Sequence, residues 1–247
     1  LSEMERQVLV EKYLVSDNFI RNSAYRSAYI SANRGTSILV NEEDHLRIQC
    51  MTAGLNLKAP LTIAMQIDDA VESRLDLAFD EKMGYLTSCP TNLGTGLRAT
   101  VLLHLPGLTY TRNMHNIINI SQQIGLSVQG LYGEGSDATG NVFAISNQLT
   151  LGLSEIDIID NLAGAVTEII EHERRARKAL VLYSKDRLED AIWRAYGILQ
   201  YARSLGEDEV LELISKVRLG VDLGLLHEVE RDRFGEVLIA SRPNYIR

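Results

Sequence analysis

The sequence predicts an α+β fold: an antiparallel β-sheet flanked by helices, followed by an all-helical C-terminal part. Three observations predict it. Alternating and β-branched runs fall within residues 27–54, 99–105 and 126–149; segments with apolar residues at 3–4 spacing separate them; and from Ser154 helical periodicity runs almost without interruption.

Taken in order, residues 1–15 (LSEMERQVLVEKYLV) read as a helix ending near Ser16-Asp17-Asn18. Residues 27–33 and 35–44 flank Asn33-Arg34-Gly35 as a hairpin, and 45–54 continue as a third strand ending on glycine. Pro60 can open a helix, and 63–79 carry helical spacing. Residues 84–106 are dense in Thr, Ser, Asn, Gly and Pro, which means irregular backbone, and end in a buried-strand run at 99–105. A helix over 107–124, a strand over 126–132, a glycine-bearing loop over 133–141 and a strand over 142–149 follow. Ser154-Glu155-Ile156-Asp157 is a helix start with early acidic residues. Helices are expected from there to about Tyr183, over 186–204 and over 207–219. Leu188, Ile192, Tyr196 and Leu199 make a core stripe, with Trp193 off it. Glu171, Glu173, Arg174, Arg175, Arg177 and Lys178 read as a solvated charged face.

The 247 residues are 45% hydrophobic, enough to bury a core and too apolar for disorder. No run approaches the roughly 18 apolar residues of a membrane helix, and the charged first turns do not read as a signal peptide. Cys50 and Cys89 cannot build a disulfide framework, so a cytoplasmic location is expected. The net charge of −8 divides equally between residues 1–150 and 151–247, leaving no basic half for nucleic acid. The chain opens at Leu1 in mid-amphipathic sequence without an initiator Met, and it reads as a fragment.

Three segments stand apart from strand-and-helix filler. In Asn41-Glu42-Glu43-Asp44-His45-Leu46-Arg47, three consecutive carboxylates repel one another at a strand junction, as a solvated turn or as a site. In the segment Cys89 to Arg98 (CPTNLGTGLR), a thiol sits beside proline and hydroxyls, as an activated thiolate or as a small core residue. The Gly133–Gly140 loop, with Glu134 at its start, is a candidate mobile lid or an ordinary loop. The chain has no phosphate-loop or kinase glycine motif and no nucleophile elbow, and its five histidines lack metal-ligand spacing.

Residues 41–47 (NEEDHLR) followed by 89–99 (CPTNLGTGLRA) resemble the two signature segments of the ATP:guanidino phosphotransferases, the creatine and arginine kinases. The resemblance runs from about residue 5 to about residue 178. The tail, with the loop Tyr132-Gly133-Glu134-Gly135-Ser136, resembles the bacterial protein-arginine kinases of that family. It implies an N-terminally truncated catalytic domain of the phosphagen kinase/glutamine synthetase-like kind over 1–178. A helical domain over 179–247 would then serve dimerisation and substrate recognition. It further implies ATP and Mg²⁺ with no protein-held metal cluster, and protein substrates with exposed arginines. The implied partners are an activator protein, a Clp-type ATPase or protease, and a second copy of the chain, with no nucleic acid and no membrane.

Residue by residue, the resemblance implies that Glu43 is the catalytic carboxylate and Glu134 the second carboxylate holding the guanidinium. Cys89 is the reactive cysteine beside that group. Arg47 and Arg98 grip ATP phosphates, and Asn92 and Gln129 stand at further nucleotide-binding positions. Relatives have an arginine at the Gln129 position, and animal enzymes have histidine and aspartate at the Leu102 and Ala144 positions. The family's paired upstream arginines have no match and are expected before Leu1, so the fragment alone is expected to be inactive. The expected function is a protein-arginine kinase; the alternatives are a small-molecule guanidino kinase and a catalytically lapsed phosphoarginine-binding adaptor.

Overall fold

A computed structural model describes residues 1–33, 35–131, 138–229 and 234–242. The chain forms two compact units, Leu1–Ala99 with Gln148–Ala163 and Thr100–Asn147 with Gly164–Arg247.

In the first unit, helix α1 (Glu3–Glu11) begins on a capping box: the Ser2 hydroxyl accepts from the Glu5 amide, and the Glu5 carboxylate accepts from the Ser2 amide at 2.7 Å. It stops short of the expected residue 15 because Tyr13 turns to φ 57°, and α2 (Asp17–Arg21) restarts on the Ser16 cap. Strands β1 (Ser27–Ile30), β2 (Thr36–Val40) and β3 (Leu46–Cys50) form the expected antiparallel sheet in the order β1-β2-β3. Leu39, on β2, is fully buried and packs with Val15 and Phe19. Helix α3 (Lys58–Glu72) starts earlier than expected, with Pro60 inside its first turn, where a missing amide costs nothing. Its end at Glu72 leaves Phe79–Asp80 (β4) to pair with Gly84–Tyr85 (β5) in a small ribbon that periodicity did not indicate.

In the second unit, β6 (Thr100–His104), β7 (Leu126–Gly130) and β8 (Val142–Asn147) form an antiparallel sheet in the order β6-β8-β7. Phe143 and Ile145 on the central strand are inaccessible to solvent. The run expected to be buried throughout instead alternates, with Leu102 48% exposed. The expected helix over 107–124 is two, α4 (Pro106–Tyr110) and α5 (Met114–Gln123), split where Arg112 takes φ 59°.

Helix α6 (Glu155–Tyr201) carries one break at Ser184 (φ −144°, ψ 27°), where the periodicity also lapses; α7 (Glu207–Asp222) and α8 (Phe234–Ala240) follow. The predicted stripe supplies Leu188 and Ile192 to a cluster with Leu213, Ile214, Val217 and Leu219. Gly220 permits that packing, because a Cβ there would lie 2.4 Å from Ile192 Cγ2. Trp193 is half-exposed and stacks edge-on against Tyr196.

The charged face over 166–182 is not simply solvated. The Glu173 side chain is only 6% exposed, and its two oxygens accept from the Gly107 and Leu108 amides at 2.9 and 2.8 Å. These amides are first-turn donors of α4 that have no partner within their own helix. Arg177 donates to Glu173 at 2.5 Å, to Asp222 at 2.8 Å and to the His104 carbonyl at 3.2 Å. A carboxylate on α6 thus caps α4, and an arginine one turn later ties the same helix to α7.

Candidate active site

The segment 41–45 links β2 to β3 as a tight turn. Asn41 adopts φ 57°, a region asparagine tolerates, and its amide donates to the His45 carbonyl at 2.9 Å. The three carboxylates diverge, which resolves their expected repulsion. Glu42 accepts from the Ser16 hydroxyl at 2.5 Å, from the Glu43 amide at 2.7 Å and from Arg47 at 3.3 Å. Burial raises the Glu42 carboxyl, but those hydrogen bonds and the Arg47 charge outweigh it and hold the group below its ordinary value. Asp44 turns to the loop that follows β5 and accepts from the Ser88 amide (2.6 Å), the Cys89 amide (3.2 Å) and the Asn92 side-chain amide (2.8 Å). Glu43, between them, is exposed.

That loop is anchored at its base by reciprocal backbone bonds between Tyr85 and Gly94, at 2.8 and 3.3 Å. A 3₁₀ turn, Pro90–Asn92, follows Cys89 directly. The Cys89 Sγ lies 3.0 Å from the Thr91 hydroxyl. Gly94, at φ 109°, passes so close to a neighbouring segment that a Cβ would lie 2.3 Å from the Thr150 carbonyl oxygen. Tyr85 donates its hydroxyl to Asp68 at 2.9 Å; burial, then that carboxylate, raises its pKa.

The structure therefore joins Glu43, Arg47, Cys89 and Asn92 through the two carboxylates that flank Glu43. Arg98 is exposed at the end of the same unit. Gln129 belongs to the second unit, exposed on β7 and directly opposite Ala144, which on its other side opposes Leu102. Gln129, Ala144 and Leu102 therefore form one cross-strand row. Glu134 lies outside the described residues. Sequence reasoning missed Asp44 as the tether of the Cys89 loop, although it stood in the acidic triplet, and missed Ser16 and Thr150, for which the sequence carries no signal. Among the described residues no three His, Cys, Asp or Glu side chains gather to hold a metal, and no helix is long and apolar enough to cross a membrane.

The family model of the ATP:guanido phosphotransferase C-terminal catalytic domain matches residues 1–176. The chain belongs to that family. This ATP-dependent guanido phosphotransferase also matches, over residues 185–247, the model of the protein-arginine kinase McsB C-terminal domain. The phosphotransferase is 48% identical over 246 residues to the protein-arginine kinase of Desulforamulus reducens, covering 100% of this chain and 69% of the relative. It is 48% identical over 242 residues to that of Halalkalibacterium halodurans, covering 98% and 68%. The chain thus spans about two thirds of the length of these relatives. Among solved structures, the duplicated taurocyamine kinase of Schistosoma mansoni with bound transition-state-analogue components matches with a TM-score of 0.61 and 27% identity, over 78% of this chain and 29% of that one. A lombricine kinase matches in fold with a TM-score of 0.57, over 70% and 51%.

Proposed function

We propose that this chain is part of a protein-arginine kinase, which transfers the γ-phosphate of ATP directly to the guanidinium of arginine side chains in proteins. The observation that carries this reading is the succession of two matches on one chain, the phosphotransferase domain over 1–176 and the protein-arginine kinase C-terminal domain over 185–247. Phosphorylated proteins would be marked for a Clp-type protease. An activator protein, a homodimer and a cytoplasmic setting complete the proposal.

A guanidinium is a poor nucleophile, because its lone pairs are delocalised and it stays protonated at neutral pH. In the proposed mechanism Glu43 and Glu134 clamp the planar group by paired charge-assisted hydrogen bonds and aim one nitrogen at the γ-phosphorus. Glu43 is suited to this part: Glu42 and Asp44 are engaged by hydrogen bonds, and it is exposed to a substrate. It accepts the proton as the N–P bond forms. Cys89, as thiolate, adds negative potential near the guanidinium and forms no covalent bond. Arg47 and Arg98 hold the phosphates, with Asn92 and Gln129 at the nucleotide. Mg²⁺ brought with ATP would supply further charge neutralisation beside Arg47 and Arg98.

The test is Glu43→Gln in the full-length protein. Transfer should fall by about 10²–10⁴-fold, the range for losing a general base, with an unchanged circular dichroism spectrum. An unchanged rate removes Glu43 from the mechanism. The second reading, a lapsed phosphoarginine-binding adaptor, is favoured by the neutral Gln129.

A further inference from the structure

Within the loop that carries Cys89, the Cys89 carbonyl accepts from the Asn92 amide at 3.0 Å and from the Thr87 hydroxyl at 2.7 Å, while the Leu93 amide reaches the Pro90 carbonyl at a long 3.4 Å. The loop's Cys89 side is held by Asp44. Its far side is held by a residue that enters from about sixty positions later, between β8 and α6. Thr150, only 8% exposed, directs its hydroxyl at two loop carbonyls, those of Leu93 at 2.7 Å and Thr91 at 3.1 Å. One hydroxyl proton serves both acceptors in a three-centre arrangement. The Thr150 carbonyl in turn accepts from the Thr95 amide at 2.9 Å and the Thr95 hydroxyl at 3.2 Å. Backbone and side chain of this one residue therefore grip both ends of the segment 91–95. Gly94 lets the two chains approach this closely.

We infer that Thr150 is a positioning residue for phosphoryl transfer, whose hydroxyl fixes the height of the 89–93 turn and so the placement of Cys89 and Asn92. The inference rests on the reading of Cys89 and Asn92 as site residues. A β-branched side chain is stiff about χ1, so its hydroxyl is held in place rather than recruited from solvent. Thr150 reaches the reacting groups only through the turn it holds.

Thr150→Val keeps the shape and removes the donor; Thr150→Ser keeps the donor. In the full-length protein, the valine variant should lose about 10²-fold in kcat, the size of effect expected from a displacement of about 1 Å in a reacting geometry, with a smaller rise in KM for ATP as Asn92 shifts with the turn. Native-state hydrogen exchange should show faster exchange at the Cys89 and Asn92 amides in the valine variant, and the serine variant should restore both readouts. A valine variant with unchanged kcat per folded molecule, or unchanged exchange at those amides, overturns the assignment; so does a serine variant as impaired as the valine one. Wild-type protein that transfers no phosphate overturns the functional reading itself, and with it this role. That failure is visible in the wild-type control alone, whereas failure of the assignment requires an active wild type.

Discussion

Asp44 and Cys89, 45 positions apart, are joined directly: the Cys89 amide donates to Asp44 Oδ1 at 3.2 Å, and the same oxygen receives the Ser88 amide at 2.6 Å. The other Asp44 oxygen takes the Asn92 side chain. The two motifs of the sequence are thus one structural unit, in which the last carboxylate of the acidic triplet sets the backbone that presents the thiol. Asp44→Ala leaves three donors without their acceptor, a cost of about 1–3 kcal/mol in stability. Phosphoryl transfer should fall by about 10- to 100-fold, as for other displaced reacting groups. Steady-state kinetics on folded enzyme would check this, and an unchanged kcat would mean that the loop holds its shape without Asp44.

Gln129, Ala144 and Leu102 form a neutral row across β7, β8 and β6. If this row faces ATP phosphates, Gln129→Arg should tighten ATP binding by about 1–2 kcal/mol through a charge-assisted hydrogen bond. Isothermal titration reads this directly. A flat affinity would mean that the nucleotide phosphates do not reach this row.

Glu173 is buried between two α4 amides and Arg177. Glu173→Ala removes the acceptor for all three and leaves a largely buried guanidinium with only Asp222 and a carbonyl as partners. Unfolding free energy should drop by about 3–5 kcal/mol, the usual cost of removing one partner of a buried ion pair. Urea denaturation would measure it; a change below about 1 kcal/mol would place the pair in the class of solvent-screened surface bridges.

His104 bonds through Nε2 to the Ser215 hydroxyl at 2.8 Å, and that hydroxyl also receives the Asn141 amide. Burial, followed by the charges of Arg218 and Arg177, pushes its pKa well below the ordinary value of 6.5. The folded state therefore holds a neutral imidazole while the unfolded chain takes up a proton below about pH 6.5. Stability contributed by the neutral form is intact above that pH and is lost as pH falls, by up to about 1.4 kcal/mol per unit. Melting curves from pH 7.5 to 5.5 should show this slope, and His104→Gln should flatten it. An equal slope in the variant would assign the effect to other groups.

What the sequence made legible was whatever is carried by local pattern. The strands around Asn41, the helical stripe through Ile192 and the lapse near Ser184 all follow from periodicity, which a single chain displays. Glu173 and Arg177 were misread because an i,i+4 charge pair looks the same on a solvated face as in a buried cap. The difference lies in the amides of Gly107 and Leu108, about 65 residues away. The split at Arg112 was invisible because a single positive φ in a helix-compatible segment leaves no compositional mark. In the candidate site, Glu43 and Cys89 were found as motif members, whereas the tethers were not. Asp44 was one more carboxylate in a triplet, and the Thr150 hydroxyl acquires meaning only from the loop carbonyls it meets.

The most direct measurement of the central claim offers the full-length protein Mg-ATP together with free arginine in one reaction and an unfolded protein in another, and assays acid-labile phosphate in both. A protein-arginine kinase labels the arginines of the protein and leaves free arginine unlabelled. Label on free arginine alone would contradict the account and place the chain among kinases of small guanidino compounds.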